Sequence, residues 1–323
     1  MSTGRLAPSP TGAQHLGNAR TYLLAYWSAR SSGKKLILRI EDIDSPRVKS
    51  WAIQQAIDDL RWLGIDWDEG PDIGGPHTPY IQTERQTRYA DALARLIRDD
   101  RVFPCNCTRQ DIAEAGSAPH FEHEGNIYPG TCANWQHGDP LPEPGTFSWR
   151  FRVTDHELEI DDLVLGRQTC NPAAHLGAFP LTQKNGSYSY HLACVVDDAA
   201  MGVTEVVRGD DLLPSAFRHI ELAEALELPR VHYAHVPLIK GPDGRRLAKR
   251  HGDTRLSLYR EQGVDPQTIV GWAAQTAGLT TTAAKQSADA VIPLFSWAKI
   301  NRDAVIVHEP EPTAWIRDQN GND

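Results

Sequence analysis

The first residues whose types and spacing could do chemistry lie near the start of the chain, in the stretch GRLAPSPTGAQHLGNAR over residues 4–20. Prolines stiffen a loop, Gly12 and Gly17 leave room for a ligand close to the backbone, and His15 precedes a helix-like run. Backbone N–H groups and the helix dipole make such a helix start an anion site, usually for phosphate. The stretch predicts a phosphate site to which His15 contributes, although an ordinary turn with an exposed histidine would explain the loop alone equally well.

A second candidate is the cationic stretch GPDGRRLAKRHGD at residues 241–253, in a chain whose net charge is −9. A cationic loop near a nucleotide can bind a transferring phosphoryl group and stabilise the charge of the transition state. Taken alone, a solvated basic loop is the simpler interpretation. Its cations are closely spaced: Arg245, Arg246, Lys249, Arg250 and His251.

Cysteines form the third candidate. CNC at residues 105–107 is followed by Cys132 in a loop-rich segment, a pattern typical of a structural zinc site. The residues alone leave His120, His123 and Tyr128 open as the fourth ligand, and reduced thiols without metal remain the alternative.

Alternating strands and helices must position these stretches. Strand, helix, strand, helix at this spacing predicts βαβ units and a parallel, doubly wound sheet. Ser50 is predicted as the N-cap of the second helix, and Gly33 and Gly64 as helix ends. The predicted strands cover residues 5–7 and 35–44, and the predicted helices cover 17–32, 50–64 and 83–100.

The pattern changes in the middle of the chain, where cysteines, prolines, glycines and histidines cluster and apolar runs are short. We interpret this as a subdomain inserted into an α/β fold, whose pattern returns with YSYHLACVVDD. The expected division is a first half of the catalytic domain at 1–100, an inserted zinc-binding subdomain at 101–187, the second half at 188–242, and the cationic loop with a mostly helical C-terminal region at 243–323.

Composition limits the class of protein. The chain of 323 residues has no apolar run long enough to span a bilayer and no apolar segment typical of a secretion signal near its start. Five cysteines, an odd number, argue against a disulfide framework and for a reducing, cytoplasmic location. Cys170 and Cys194 are expected to be packing residues.

Taken together, the motifs resemble a known family. HLGN and RLAKR resemble the two signatures of class I aminoacyl-tRNA synthetases. RLAPSPTGAQHLGNARTYLL, LRIEDID, YHLACVVDD, GVTEVVRGDDLL and RRLAKRHGD resemble, over residues 5–275, the catalytic core of glutamyl-tRNA synthetases. The resemblance implies a Rossmann-type class I fold and the activation of glutamate with ATP and Mg²⁺.

The resemblance also implies roles for single residues: catalysis by His15 and Lys249, with ATP bound by these two and by Gly17, Asn18 and Arg246. The chain departs from the family at three positions. Asn18 ends the first signature, where histidine or glycine is frequent, and Arg246 and Ala248 replace a frequent lysine and serine. These changes bear on the rate and not on the type of reaction.

The amino-acid site follows from charge, because L-glutamate carries two carboxylates and one ammonium group. Arg5 and Arg208 can bind carboxylates in bidentate geometry, and Glu41 can hold the ammonium. The resemblance places around glutamate Arg5, Ala7, Ser9, Glu41, Tyr190 and Arg208. We expect four nearby aspartates to be structural acceptors and caps: Asp42, Asp44, Asp197 and Asp198.

One branch of the family has the pattern C-x-C…Y-x-x-x-C, which Tyr128 and Cys132 match. The resemblance therefore implies one structural Zn²⁺ held by Cys105, Cys107, Tyr128 and Cys132. Only residues 252–323 follow His251, which we expect to be too few for a stem-contacting region and an anticodon-binding domain.

Both features resemble the glutamyl-Q tRNA(Asp) synthetases, which activate glutamate without tRNA and transfer it to queuosine in the anticodon loop of tRNA(Asp). The implied partners are ATP, L-glutamate and queuosine-containing tRNA(Asp), with no membrane, and the expected state is a monomer. Three alternatives stay open: a short enzyme that charges the 3′ end of tRNA(Glu), a nucleotidyltransferase of the wider fold, and a non-catalytic zinc-bearing RNA-binding module.

Overall fold

Strands and helices alternate along the first hundred residues. The computed structural model describes residues 2–43, 48–115, 126–245, 254–307 and 315. The first elements are β1 (Thr3–Leu6), α1 (Leu16–Ser31), β2 (Lys35–Leu38), α2 (Ser50–Trp62) and α3 (Gln86–Arg98).

The middle of the chain is built from short antiparallel strands. Its elements are β3 (Val102–Cys105), α4 (Arg109–Ala115), β4 (Ser148–Phe151), β5 (Leu158–Asp162), β6 (Gly166–Cys170), α5 (Pro172–His175) and β7 (Phe179–Pro180). Strands β3, β4 and β7 form one antiparallel sheet, and β5 and β6 form a hairpin.

The last part returns to longer helices and parallel strands. It contains α6 (Tyr190–Ala200), β8 (Glu205–Gly209), α7 (Leu213–Ala225), β9 (His232–Val236), β10 (Ile239–Lys240), α8 (Leu256–Glu261), α9 (Pro266–Thr276), α10 (Ala288–Val291) and β11 (Val305–Ile306). Strands β10 and β11 pair in parallel.

The central sheet has four parallel strands in the order β2–β1–β8–β9. The chain adds β2 on one side of β1 and β8 with β9 on the other, so the strand order reverses between β1 and β8. In open parallel sheets, ligands bind beyond the carboxyl ends of the strands at such a point. The sheet therefore directs the ends of β1 and β8 toward one candidate site, and the predicted parallel sheet is confirmed.

Apolar side chains cover both faces of this sheet. Leu36 and Leu38 join the core that contains α1, whereas Ile37 joins the core on the opposite face with Phe217 of α7. Burial on both faces explains why the strands are continuous apolar runs. Helix α1 is further held by Trp27, whose indole Nε1 donates to the Ala288 carbonyl at 2.9 Å.

Two local predictions were wrong. Strand β2 ends at Leu38 rather than near residue 44. The Arg39 and Glu41 amides still donate to the Leu6 and Pro8 carbonyls of the neighbouring segment, but Pro8 has no N–H to return the next ladder bond. Ser50 is the first residue of α2 and not its N-cap, since the backbone changes from extended to helical after Lys49.

The longest described helix, α1, has 16 residues. Within the described residues, no helix combines the length and apolarity that crossing a membrane requires.

Candidate active site and cysteine cluster

A cavity of about 340 Å³ opens at the carboxyl ends of β1 and β8, within the size range of small-molecule sites. Every residue predicted to bind glutamate or ATP that the structure describes lines this cavity: Arg5, Ala7, Ser9, His15, Gly17, Asn18, Glu41, Tyr190 and Arg208. The predicted Arg246 and Lys249 lie outside the described residues, as do Asp44, His120 and His123. The structure thus brings together side chains that are far apart in sequence.

The start of α1 forms one wall of the cavity. His15 is the N-cap, and its Nδ1 accepts a hydrogen bond from the Gly17 amide at 3.1 Å, which leaves the ring proton of the neutral imidazole on Nε2. Asn18 Oδ1 accepts from the His15 amide at 3.2 Å and completes a capping box. The asparagine by which this chain departs from the family pattern therefore has a structural role at the helix start.

The chain on both sides of the second signature runs close to the first. The Leu16 amide donates to the Thr254 carbonyl at 3.1 Å, and the Leu256 amide donates to the Gln14 carbonyl at 2.9 Å. On the preceding side, Ile239 lines the same cavity as Gly17 and Asn18 of the first signature.

Four charged side chains form a network at the end of the cavity that contains Arg5 and Glu41. Arg39, fully buried, contacts Glu41 at 2.8 Å and Asp198 at 2.7 Å. Arg5 Nε lies 3.7 Å from the same Asp198 carboxylate, and its NH1 donates to the Val207 carbonyl. Burial opposes the charge of Arg39, but the two carboxylates outweigh it and raise the pKa of Arg39. Two predicted site residues, Arg5 and Glu41, are thus connected through a buried ion-pair network.

Arg208 lies on the other side of the cavity. Its NH1 donates to the Tyr190 hydroxyl at 3.3 Å, and its guanidinium lies 5.0 Å from the centre of the Tyr233 ring. Burial raises the pKa of Tyr190, so its phenol is neutral at physiological pH. The cavity therefore offers two buried arginines and the buried carboxylate of Glu41, with Asp211 half-buried in the same lining, and the first three complement the charges of an acidic amino acid.

Asp42 and Asp197, two of the aspartates expected to be structural, have structural partners. Asp42 accepts hydrogen bonds from the amide and hydroxyl of Thr83. Asp197 accepts from Arg85 and from the Tyr89 hydroxyl, away from the cavity.

Sequence reasoning missed three residues next to the site: Arg39, Asp162 and His235. The motif LRIE contained a signal for Arg39. Arg39 and Glu41 are two positions apart, and residues two apart on an extended segment lie on the same face. His235 is the register partner of Arg208 in the neighbouring strand, which only the pairing of β8 with β9 reveals.

The cysteine cluster lies where β3 ends. The Sγ atoms of Cys105, Cys107 and Cys132 all lie within 4.8 Å of one another, and the last two are 3.7 Å apart. With zinc–sulfur bonds of about 2.3 Å, neighbouring ligand atoms of a tetrahedral site are separated by roughly 3.5–3.8 Å. The Cys107–Cys132 separation matches that geometry and Cys105 lies close to both, so this cluster could bind a metal ion.

Tyr128 meets the same cluster. Its hydroxyl lies 3.5 Å from Cys105 Sγ and accepts a hydrogen bond from the Cys132 amide at 2.8 Å. Burial raises the pKa of Cys107 to about 11. Burial acts in the same direction on Cys105, but hydrogen bonding to Tyr128 and the charge of Arg150 lower its pKa. The remaining two cysteines, Cys170 and Cys194, are buried and outside the cluster, in agreement with a packing role.

A second, larger cavity of about 710 Å³ is lined by Cys107 of the cluster and by Tyr190, which also lines the first cavity. Three cations lie along the wall of the second cavity: Arg109, Arg150 and Lys184.

Comparisons with known proteins agree with this geometry. Residues 2–291 match the model of the family described as tRNA synthetases class I (E and Q), catalytic domain. The chain is 52% identical to the glutamyl-Q tRNA(Asp) synthetase of Rhodopirellula baltica, over 94% of this chain and 96% of that one. It is 48% identical to the protein of the same name from Symbiobacterium thermophilum, over 94% and 95%.

More distant relatives are longer. The chain is 38% identical to a glutamate–tRNA ligase of Anaeromyxobacter, over 97% of this chain but 65% of that one. The solved structure of a glutamate tRNA ligase from Elizabethkingia meningosepticum in complex with its amino acid superposes with a TM-score of 0.82 at 28% identity, covering 99% of this chain and 69% of that one. The chain therefore belongs to the class I tRNA synthetases of the E and Q type, and within them to the glutamyl-Q tRNA(Asp) synthetases.

Proposed function

We propose that this chain is a ligase that activates L-glutamate with ATP in the absence of tRNA and transfers the glutamyl group to queuosine in the anticodon loop of tRNA(Asp). The observation that carries the proposal is the cavity in which Arg5, Arg208 and Glu41 adjoin the N-terminus of α1. Relatives that this chain matches over nearly their full length carry the name glutamyl-Q tRNA(Asp) synthetase, which supports the choice of acceptor.

Charge complementarity orients glutamate. Arg208 and Arg5 bind the carboxylates, and Glu41, balanced by Arg39, holds the ammonium group. Tyr190 and Ser9 add hydroxyl groups, and Ala7 leaves space beside them. Because both arginines are buried, an amino acid without the side-chain carboxylate would leave one of them unpaired, which favours glutamate over uncharged competitors.

Activation takes place where the glutamate subsite meets the helix start. An α-carboxylate oxygen of glutamate attacks the α-phosphorus of ATP, and pyrophosphate leaves. His15 donates from Nε2 to phosphate oxygens, while Gly17 and Asn18 present the positive end of α1. Arg246 and Lys249 are proposed to supply the remaining positive charge. Mg²⁺ bound with ATP would neutralise phosphate charge and orient the phosphates.

The acceptor enters from the second cavity. A hydroxyl of the queuosine ring attacks the activated carbonyl carbon, the ester bond forms, and AMP leaves. Tyr190 lies at the junction of the two cavities, so an acceptor placed in the second cavity can reach a glutamyl group held in the first. Cations in the wall, including Arg109 and Lys184, suit the phosphates of an unpaired RNA loop.

The cysteine cluster supports this arrangement from the far side. We propose that Cys105, Cys107, Tyr128 and Cys132 hold one structural Zn²⁺, a closed four-ligand set. Since Cys107 lines the second cavity, the metal would stabilise the wall that meets RNA.

Further elements of the proposal are a cytoplasmic location, a monomeric state and no membrane partner. The domain division at residues 100, 187 and 242 also remains a proposal. The region 243–323 is proposed to correspond to a helical stem-contact-like part, and its described helices are α8, α9 and α10.

Two assays test the proposal. Glutamate-dependent ATP–pyrophosphate exchange should occur with the protein alone, and its absence would exclude activation without tRNA. Labelled glutamate should then appear on tRNA(Asp) that contains queuosine and not on the same tRNA with guanosine at that position. Label at the 3′ end of tRNA(Glu) would instead identify a short-chain glutamyl-tRNA synthetase, and RNA binding without exchange would identify a non-catalytic module.

A further inference from the structure

A buried chain of hydrogen bonds runs from the β5–β6 hairpin to the glutamate cavity through Asp162, His235 and Arg208. We propose that Asp162 and His235 are positioning residues, which fix the imidazole tautomer of His235 and thereby orient the Arg208 guanidinium toward the amino acid. The inference rests on the proposed function in one respect: Arg208 must bind a carboxylate of glutamate.

The Asp162 carboxylate accepts hydrogen bonds from backbone amides as well as from the His235 side chain. Its Oδ1 accepts from the amides of Val164 and Leu165, both at 2.9 Å, and its Oδ2 accepts from His235 Nδ1 at 2.6 Å. The His235 amide lies 3.2 Å and 3.1 Å from these two oxygens. Although burial raises the pKa of Asp162, these hydrogen bonds outweigh it and the pKa is lowered, so the carboxylate is ionised. An ionised Asp162 can only accept, and His235 Nδ1 must therefore carry a proton.

The proton on Nδ1 also determines the protonation state of the other ring nitrogen, Nε2. Burial lowers the pKa of His235, so the imidazole is neutral and its Nε2 has a lone pair. That lone pair accepts a hydrogen bond from Arg208 Nε at 3.2 Å. Asp162, which lies outside the cavity lining, thus determines whether the nitrogen facing Arg208 is an acceptor or a donor.

Three contacts then hold the Arg208 guanidinium in one orientation. Nε is fixed by His235, NH1 donates to the Tyr190 hydroxyl, and NH2 donates to the Leu212 carbonyl at 3.1 Å. Each terminal nitrogen carries a second N–H, so donors remain for a carboxylate in the cavity. The Tyr233 ring supports the guanidinium and also stacks on His235, with ring centres 5.5 Å apart.

Replacing Asp162 by asparagine tests the role of the tautomer, because the new side-chain amide has one favoured orientation. At the Oδ1 position its NH₂ group would face the amide donors of Val164 and Leu165. At the Oδ2 position it would face only the His235 amide, which also reaches the Oδ1 position at 3.2 Å. There it can donate to His235 Nδ1 if the ring proton moves to Nε2. Arg208 Nε would then meet an N–H instead of a lone pair.

The kinetic experiment compares D162N with D161N in glutamate-dependent pyrophosphate exchange. Asp161 is the neighbouring carboxylate of the same strand and is exposed, so D161N is the matched control. We expect D162N to raise the KM for glutamate by about tenfold or more, the effect of losing one hydrogen bond to a charged group, with the KM for ATP unchanged. D161N should leave both constants at the wild-type values.

A second pair of variants tests the role of His235 with Asp162 unchanged, so that the test does not depend on the folding of D162N. H235Q keeps an acceptor near the position of Nε2 and should retain a KM for glutamate within about threefold of wild type, whereas H235L should resemble D162N. Nitrogen-15 NMR of histidine-labelled protein, with His235 assigned by comparison with H235Q, should show the Nδ1-protonated tautomer in the wild type and the Nε2-protonated tautomer in D162N.

Wild-type KM for glutamate in both D162N and H235L, while R208K raises it, would overturn the positioning role and leave the proposed function intact. An Nε2-protonated or doubly protonated His235 in the wild-type protein would overturn it even if D162N fails to fold. Absence of glutamate-dependent exchange in the wild-type protein would overturn the proposed function itself, and with it the role of Arg208 assumed here.

Discussion

Arg5 and Arg39 share the carboxylate of Asp198, and replacing each by methionine should separate ligand binding from folding. Arg5 lines the proposed glutamate cavity, whereas Arg39 lies outside its lining and contacts both Glu41 and Asp198. In R5M, Asp198 keeps its contact with Arg39 at 2.7 Å, so no carboxylate is left without a cation. In R39M, Glu41 loses its 2.8 Å contact, and of its two cations Asp198 keeps the more distant Arg5, at 3.7 Å.

The magnitudes follow from these contacts. R5M removes one hydrogen bond to a backbone carbonyl and should lower the free energy of unfolding by about 1 kcal/mol. Its effect on glutamate binding should be larger. Loss of a hydrogen bond between charged groups costs about 1.5–3 kcal/mol, which raises the KM for glutamate roughly tenfold to a hundredfold. R39M leaves buried charge uncompensated and should lower the free energy of unfolding by about 3–5 kcal/mol.

Urea unfolding of both variants gives the stability, and pyrophosphate exchange gives the separate KM values for glutamate and ATP. We expect R5M to raise the KM for glutamate at near-normal stability, and R39M to lower the free energy of unfolding. If R5M lost as much stability as R39M while its KM for glutamate stayed normal, Arg5 would belong to the scaffold and the proposed glutamate site would be wrong.

Three further predictions concern the metal, the helix start and RNA. Protein purified without chelators should contain about one zinc per chain, and C107S should lose it and weaken transfer to tRNA more than exchange; zinc-free wild-type protein would contradict the proposal. G17A places a Cβ 3.0 Å from His15 Cε1, so it should raise the KM for ATP several-fold without lowering stability, because alanine favours helix; an unchanged KM for ATP would separate His15 from ATP binding. Raising salt from about 50 to about 200 mM should weaken transfer to tRNA strongly and exchange little, and equal salt effects would argue against the cationic second cavity as the RNA site.

The sequence predicted the central sheet and the helix α1 well because their signals are local. Helix α1 was predicted at 17–32 and spans Leu16–Ser31, ending before Gly33, whose φ of +63° suits a glycine. The extent of β2 was not predictable in the same way. Its apolar pattern continues past Leu38, but the segment that follows β1 contains Pro8, which lacks the N–H that the next ladder bond needs.

The cavity residues were predicted from motifs that resemble a family, whereas the residues behind them were not. Arg39 and Asp198, or Asp162 and His235, meet only after folding; the latter pair is separated by 73 positions. No periodicity or spacing connects side chains that lie on different elements in this way. Signature motifs identify groups that face the ligand, and the structure is needed to find the groups that hold them.

The attachment point of glutamate is the most direct test of the account. After incubation with ATP, glutamate and queuosine-containing tRNA(Asp), the tRNA can be digested to nucleosides under mildly acidic conditions and analysed by mass spectrometry. Transfer to queuosine predicts a queuosine that is heavier by one glutamyl group and an unmodified 3′-terminal adenosine. A glutamyl group on the terminal adenosine, with unmodified queuosine, would contradict it.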